Sequence, residues 1–192
     1  MATIDEIKQL RDETGVSIMQ CKKALEEAGG DIEKAKVVLR KISATTAAKK
    51  SDRELGAGAV QAYIHAGNQV GAMVVLACET DFVSKNEEFV KLAYEIALHA
   101  AAMAPSFISK DDVTPEDTKA AREVFAAEVA DKPAEMQEKI LAGKLESYLA
   151  EKVLLDQPFV KDPTMTIGQM VEQATQKFGE KIAVVRCERF TV

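Results

Sequence analysis

The chain has 192 residues, of which 47% are hydrophobic and 29% charged, with a formal net charge of −6. That length holds one ordinary domain or a small module plus a modest one, and the composition is that of a folded chain, not a disordered one. The acidic balance disfavours nucleic acid as a direct partner, and no apolar run approaches the roughly 20 residues of a membrane helix. No signal or transit pattern opens the chain, so a cytoplasmic location is expected. Cys21, Cys78 and Cys187 are too widely spaced to suggest a disulfide framework or a zinc site.

Charge divides the chain unevenly. Residues 1–53 carry 11 Lys and Arg against 9 Asp and Glu, and the remainder carries 14 against 22. The shift falls beside a stretch, 43–54, that lacks large apolar residues. It reads as a linker between an N-terminal module, 1–42, and a larger domain, 55–192.

Three short helices are expected first. Thr3 and Glu6 form a capping-box pattern ahead of Ile4, Ile7 and Leu10 at helical spacing. Thr14-Gly15 breaks the chain, and Ser17 with Gln20 opens a second helix that Gly29-Gly30 stops. Asp31 caps a third, with Ile32, Ala35, Val38, Leu39 and Ile42 facing inward. A compact three-helix unit of this kind resembles the ubiquitin-associated fold, which presents surfaces to partners and does no chemistry.

The period then changes. Residues 57–65 and 70–78 read as two strands of an antiparallel hairpin around Ala66-Gly67-Asn68-Gln69. Ser84 and Glu87 look like a capping box before a helix that carries Phe89, Val90, Leu92, Ala93, Ile96 and Ala97. Thr114-Pro115 starts another helix, with proline at its first position. A helical stretch from Pro133 toward Leu155 is expected to break or bend at Gly143. Thr166 and Gln169 cap a last helix that Gly179 ends. A third strand follows from Ile182 to Phe190, with Ile182, Val184 and Arg186 on one face and Ala183, Val185 and Cys187 on the other. The fold class is therefore α+β: a three-helix module, a linker, and a core with a small three-stranded antiparallel sheet packed with helices.

The chemistry-bearing residues are sparse. There is no phosphate-cradling glycine loop, and His65 and His99 have no ligand-type neighbour at helical spacing. Glu79 and Asp81 at a strand end read as solvated or capping carboxylates, and Cys78 lies in an apolar strand. No catalytic group, metal or cofactor is expected. Thr80-Asp81-Phe82-Val83 is the segment of interest. Its phenylalanine either folds onto the core, which periodicity favours, or projects as an apolar wedge for a partner's pocket.

Five segments resolve the choice by resemblance. Leu10-Arg11 through Thr14-Gly15 to Met19-Gln20-Cys21-Lys22-Lys23-Ala24-Leu25 runs into Gly30-Asp31-Ile32-Glu33-Lys34-Ala35. Next come Tyr63-Ile64-His65-Ala66-Gly67 with Val70-Gly71, then Cys78-Glu79-Thr80-Asp81-Phe82-Val83. Ile96-Ala97-Leu98-His99-Ala100-Ala101 and Gln157-Pro158-Phe159-Val160 complete the order. This set resembles the bacterial elongation factor Ts family in its short form, across nearly the whole chain. The resemblance implies a non-enzymatic guanine-nucleotide exchange factor that binds the GDP form and the nucleotide-free form of elongation factor Tu. It implies that Phe82 enters an apolar pocket, that Asp81 disturbs the metal-coordinating region, and that Thr80 and Val83 support the turn. Ile18, Met19 and Lys23 are implied docking residues, although Ile18 and Met19 also suit a core, and His99 is implied to meet the partner's β-barrel region. A homodimer is expected, because a single core subdomain offers half the usual contact surface, and no coiled-coil insertion is expected. Cys187 lies near a dimer-linking position of the family but one residue out of register, so no disulfide is expected. Two rival readings, an adaptor using 1–42 alone and a metal-dependent hydrolase built on Glu79 and Asp81, leave the ordered segments unexplained.

Overall fold

The computed structural model describes residues 2–192. Helix α1 (Ile4–Thr14) opens on the expected box: Glu6 N–H donates to Thr3 Oγ1 at 3.2 Å, and Thr3 N–H donates to Glu6 Oε2 at 2.8 Å. Gly15, at φ 66°, ends it. Helix α2 (Ile18–Glu27) starts at Ser17, and α3 (Ile32–Ala48) at Asp31, whose carboxylate accepts from Lys34 N–H at 3.0 Å. Leu10, Val16, Cys21, Ala24, Leu25, Ala35 and Leu39 make a core private to these helices. Helix α3 runs on to Ala48, into the stretch expected to be connecting chain. Nothing in Ser43-Ala44-Thr45-Thr46-Ala47-Ala48 breaks a helix. The Thr45 and Thr46 hydroxyls bond back to the carbonyls of Lys41 and Ile42, which satisfies them within the helix.

The sheet joins three strands in the order β1 (Ala57–Ile64), β2 (Val70–Cys78), β5 (Ile182–Thr191), all antiparallel. Strand β2 is central, as its nearly unbroken apolar run requires. Its Val74, Leu76 and Cys78 are fully buried with Phe89, Ala93, Ile96 and Ala97 of α5 (Glu87–Met103) and Ile167, Val171 and Ala174 of α8 (Ile167–Phe178). Helix α8 keeps its capping box, Thr166 with Gln169, and its left-handed Gly179. A two-stranded ribbon, β3 (Pro158–Phe159) with β4 (Asp162–Thr166), precedes it. No described helix is long and apolar enough to cross a membrane.

Strand β5 departs from simple alternation. Opposite the Val75–Leu76 step the register slips by one, so Val75 pairs with Arg186 while Leu76 pairs with Val184. Val185 is the extra residue of a β-bulge, and the parity of every later side chain reverses. Ile182 and Val184 face inward as expected. Arg186 does not join them; Cys187 does, and it packs near Ala72, Ala100 and Ala101 beneath α5. Burial, with the nearby Glu188 charge, pushes its thiol up to about 11. All three cysteines are free.

Two helix boundaries also differ from the expected ones. Ser84 belongs to a one-turn helix, α4 (Asp81–Ser84), and its hydroxyl donates to Asp81 O at 3.1 Å. The cap of α5 is Asn86, whose side chain accepts from Glu88 N–H at 2.9 Å. Helix α6 (Pro115–Glu128) has its Thr114 cap and first-position proline, and α7 (Ala134–Ala150) passes through Gly143 without a break. A lone glycine weakens a helix without removing its hydrogen bonds. Helices α6 and α7 form an antiparallel pair, with Phe125 edge-on to Tyr148 and Lys144 bound to Glu128. A Cβ on Gly143 would meet no atom within 4 Å. Gly143→Ala should therefore stabilise α7 by about 1 kcal/mol, read as slower amide exchange along the helix.

His99 of α5 is fully buried. Val160 N–H donates to its Nδ1 at 3.2 Å, so the ring carries its proton on Nε2 and donates it to Gln157 Oε1 at 2.9 Å. Gln157 in turn donates to Glu151 O at 2.7 Å and Met103 O at 3.4 Å. Burial holds the His99 pKa below its ordinary value, despite the Gln157 bond that opposes the shift. The unfolded chain therefore binds a proton here more readily than the folded one, and stability should fall as pH drops below about 6.5. Chemical denaturation between pH 7.5 and 5 should show this slope, and His99→Gln should reduce it.

Candidate functional site

Strand β2 ends at Cys78, and the chain leaves the sheet through Glu79 and Thr80 into α4. Successive residues of a helix point about 100° apart. Val83 takes the inward direction and joins the main core. Phe82 takes the outward one and is 87% exposed, the most exposed phenylalanine of the chain. Asp81 lies beside it, with its carboxylate 2.5 Å from Lys85 Nζ. The hydrogen bond and charge of Lys85 hold the Asp81 pKa below the usual carboxylate range.

The base of the loop is tied down by charge. Thr80 donates to the Glu180 carboxylate through its N–H at 2.9 Å and its hydroxyl at 2.5 Å. Glu79 accepts the Lys181 N–H at 2.5 Å and two contacts from Arg53, at 3.1 and 3.2 Å. These bonds, with that to Lys181 N–H foremost, lower the Glu79 pKa. Lys181 Nζ reaches back to the carbonyls of Ser51 and Arg53. Cys78 donates its thiol to Thr80 O at 3.2 Å, inside the core as expected. Glu79 and Asp81 thus have separate partners and do not converge as an acid–base pair.

Met19 lies on the outer side of α2, opposite Cys21, Ala24 and Leu25, and is 79% exposed; Ile18, the first residue of the helix, is exposed at its open end. Lys23 is exposed on the same helix. Ile18 shares a cleft with Gly15, Glu88 and Lys177, which brings the start of α2 beside the start of α5, the helix that follows the Phe82 loop in the chain. Lys177 pairs with Glu88 and lies over Gly15, where a Cβ would come within 2.6 Å of its Nζ. His99, implied by the resemblance to meet the partner, is fully buried in the chain itself, and what its ring holds in place is the Pro158–Val160 segment, where Val160 is exposed.

Two features escaped sequence reading. Glu180 was not singled out, although it directly follows a helix-ending glycine and precedes a strand. The outer face of the sheet is an apolar surface, with Val60, Ile64, Met73 and Phe190 all exposed on it.

A family model described as "Elongation factor TS" matches residues 3–192. The elongation factor Ts of Herpetosiphon aurantiacus is 44% identical over 99% of this chain and 97% of its own length. Those of Coprothermobacter proteolyticus and Koribacter versatilis are each 45% identical over 97% of this chain, and over 95% and 86% of their own lengths. The match takes in the three-helix unit, the Thr80–Val83 loop and the last strand together, and so the chain belongs to the elongation factor Ts family.

Proposed function

We propose that this chain is a guanine-nucleotide exchange factor for elongation factor Tu in translation elongation, working in the cytoplasm by protein–protein binding and not as an enzyme. The observation that carries the reading is Phe82, a large apolar side chain held in solvent while its neighbour Val83 is anchored in the core. Leaving such a ring in water costs about 2 kcal/mol relative to burying it, and an apolar pocket on a partner recovers that cost. GTPases hold GDP through a phosphate loop and a Mg²⁺ ion with few direct protein ligands, so an intrusion there loosens the nucleotide disproportionately. Phe82 fills the pocket, and Asp81 brings a negative charge toward the region that coordinates the metal.

Binding energy supplies the whole effect. If the factor lowers GDP affinity by some ratio, GDP lowers the affinity of the factor by the same ratio. The complex with nucleotide is then transient, and the factor is displaced as GTP enters. Ile18, Met19 and Lys23 supply docking contacts, which the exposure of the two apolar side chains supports.

Stopped-flow release of fluorescent GDP from elongation factor Tu tests the assignment. Phe82→Ala should lower the stimulated rate by at least about thirtyfold, the usual cost of losing an anchor residue, with an unchanged circular dichroism spectrum. Ile18→Ser with Met19→Ser should instead raise the half-saturation point. Parent-rate release by the folded Phe82→Ala variant rejects the wedge.

A second copy of the chain is the expected partner for the outer sheet face. Val60, Ile64, Met73, Val75 and Phe190 form an apolar surface there, bordered by the Arg186–Glu188 pair, and β1 and β5 are both free edges. A two-fold axis through this face covers it on both copies. Cys187 faces the opposite way, so the dimer is non-covalent. Light scattering after size exclusion should give twice the chain mass with or without reductant. Met73→Glu should give the monomer mass.

A further inference from the structure

The β2–β5 ladder ends at the pair Cys78↔Ile182. Continued in the same register, the next opposed residues are Glu79 with Lys181 and Thr80 with Glu180. Backbone pairing stops there, yet the amides on both chains are satisfied, because side chains accept in place of main-chain carbonyls. Glu79 Oε1 takes the Lys181 N–H at 2.5 Å, and Glu180 Oε2 takes the Thr80 N–H at 2.9 Å. The two carboxylates are thus exchanged reciprocally across the gap. A side chain reaches farther than a carbonyl, so the chains splay apart and the loop turns out of the sheet without orphaned donors.

We infer that Glu180, with Glu79 behind it, is a positioning residue for nucleotide exchange: it sets the direction in which Phe82 projects. The inference rests on Phe82 being the element that enters the partner. Thr80 is the N-cap residue of α4, but its hydroxyl makes no cap bond and is donated to Glu180 at 2.5 Å. A four-residue helix without its cap is too short to hold itself. Its orientation comes from outside, from Val83 in the core at one end and the Glu180 carboxylate at the other. Glu79 is steadied in turn by Arg53. An anchor held in its bound direction spares the ordering cost that a loose loop would incur on association.

The test is a double-mutant cycle in the full chain, read as stimulated release of fluorescent GDP from elongation factor Tu, with amide exchange of the free factor measured in parallel. Glu180→Ala should lower the rate about tenfold, the scale of a lost pair of charge-assisted bonds, and should speed exchange at the Thr80 amide. Glu180→Gln keeps one acceptor oxygen and should fall between the two. In the Phe82→Ala background, Glu180→Ala should lower the rate by less than about twofold, because coupled residues are not additive. Fully multiplicative losses, or an unchanged Thr80 amide, overturn the positioning role. If Phe82→Ala alone keeps the parent rate, the exchange reading fails separately, and the amide measurement still decides whether Glu180 holds the loop. Should Glu180→Ala not fold, Thr80→Val removes only the hydroxyl bond. A loss of about threefold that vanishes in the Phe82→Ala background supports the inference, and the parent rate overturns it.

Discussion

Val74, Leu76 and Cys78 are wholly buried beneath α5 and α8, on a strand whose backbone is bonded to β1 along one edge and to β5 along the other. Each such side chain contributes roughly 2 kcal/mol by burial, and their alternation fixes the register of both neighbours. The position of the Thr80–Val83 loop follows directly. It starts where β2 ends, so the rigidity of the central strand is passed to the residue that projects from it. A site placed at the end of a buried strand is held more closely than one in the middle of a long loop.

The three-helix unit is attached through α3 and α8. Ser43 of α3 and Gln176 of α8 are both buried and hydrogen-bonded to each other. Around them Arg40 donates to Thr164 O at 3.2 Å and Lys50 to Gly179 O at 2.6 Å. Together with the Lys177–Glu88 pair over Gly15, these bonds keep the exposed start of α2 on the side of the molecule where α5 begins. Most of the remaining ion pairs are exposed and add little to stability. The charges that matter sit where a backbone group has no other partner, as at Thr80 and Lys181.

The same surface logic separates the two exposed apolar regions. Phe82 is a single projecting ring with a charge beside it, which suits insertion into a pocket. The outer sheet face spreads its apolar side chains over three strands, around a hollow lined by Ile64, Gly71, Met73 and Phe190, which suits a second extended apolar surface. Neither feature competes for the other's partner, because the loop leaves from one end of β2 while Met73 and Phe190 lie toward the other.

Local signals set much of the architecture. Thr3, Asp31, Thr114 and Thr166 cap helices where the sequence places them, because a cap depends on residues three positions away. Gly15 and Gly179 end helices because each takes a left-handed φ that costs glycine nothing. The β1–β2 hairpin and the β5 strand follow from apolar alternation and run length. Other features depended on contacts that no local rule contains. The bulge at Val185 reverses the faces of Arg186 and Cys187, and only the pairing with β2 creates it. Ser84 yielded the cap of α5 to Asn86 once α4 formed. His99 is buried because Gln157 and Val160, about sixty residues away, close over it. The outward direction of Phe82 goes with Val83 meeting the core and Thr80 meeting Glu180, a hundred residues along the chain. Sequence spacing determines which residues share a turn or a strand; which of them reaches solvent depends on what the distant chain brings against the other side.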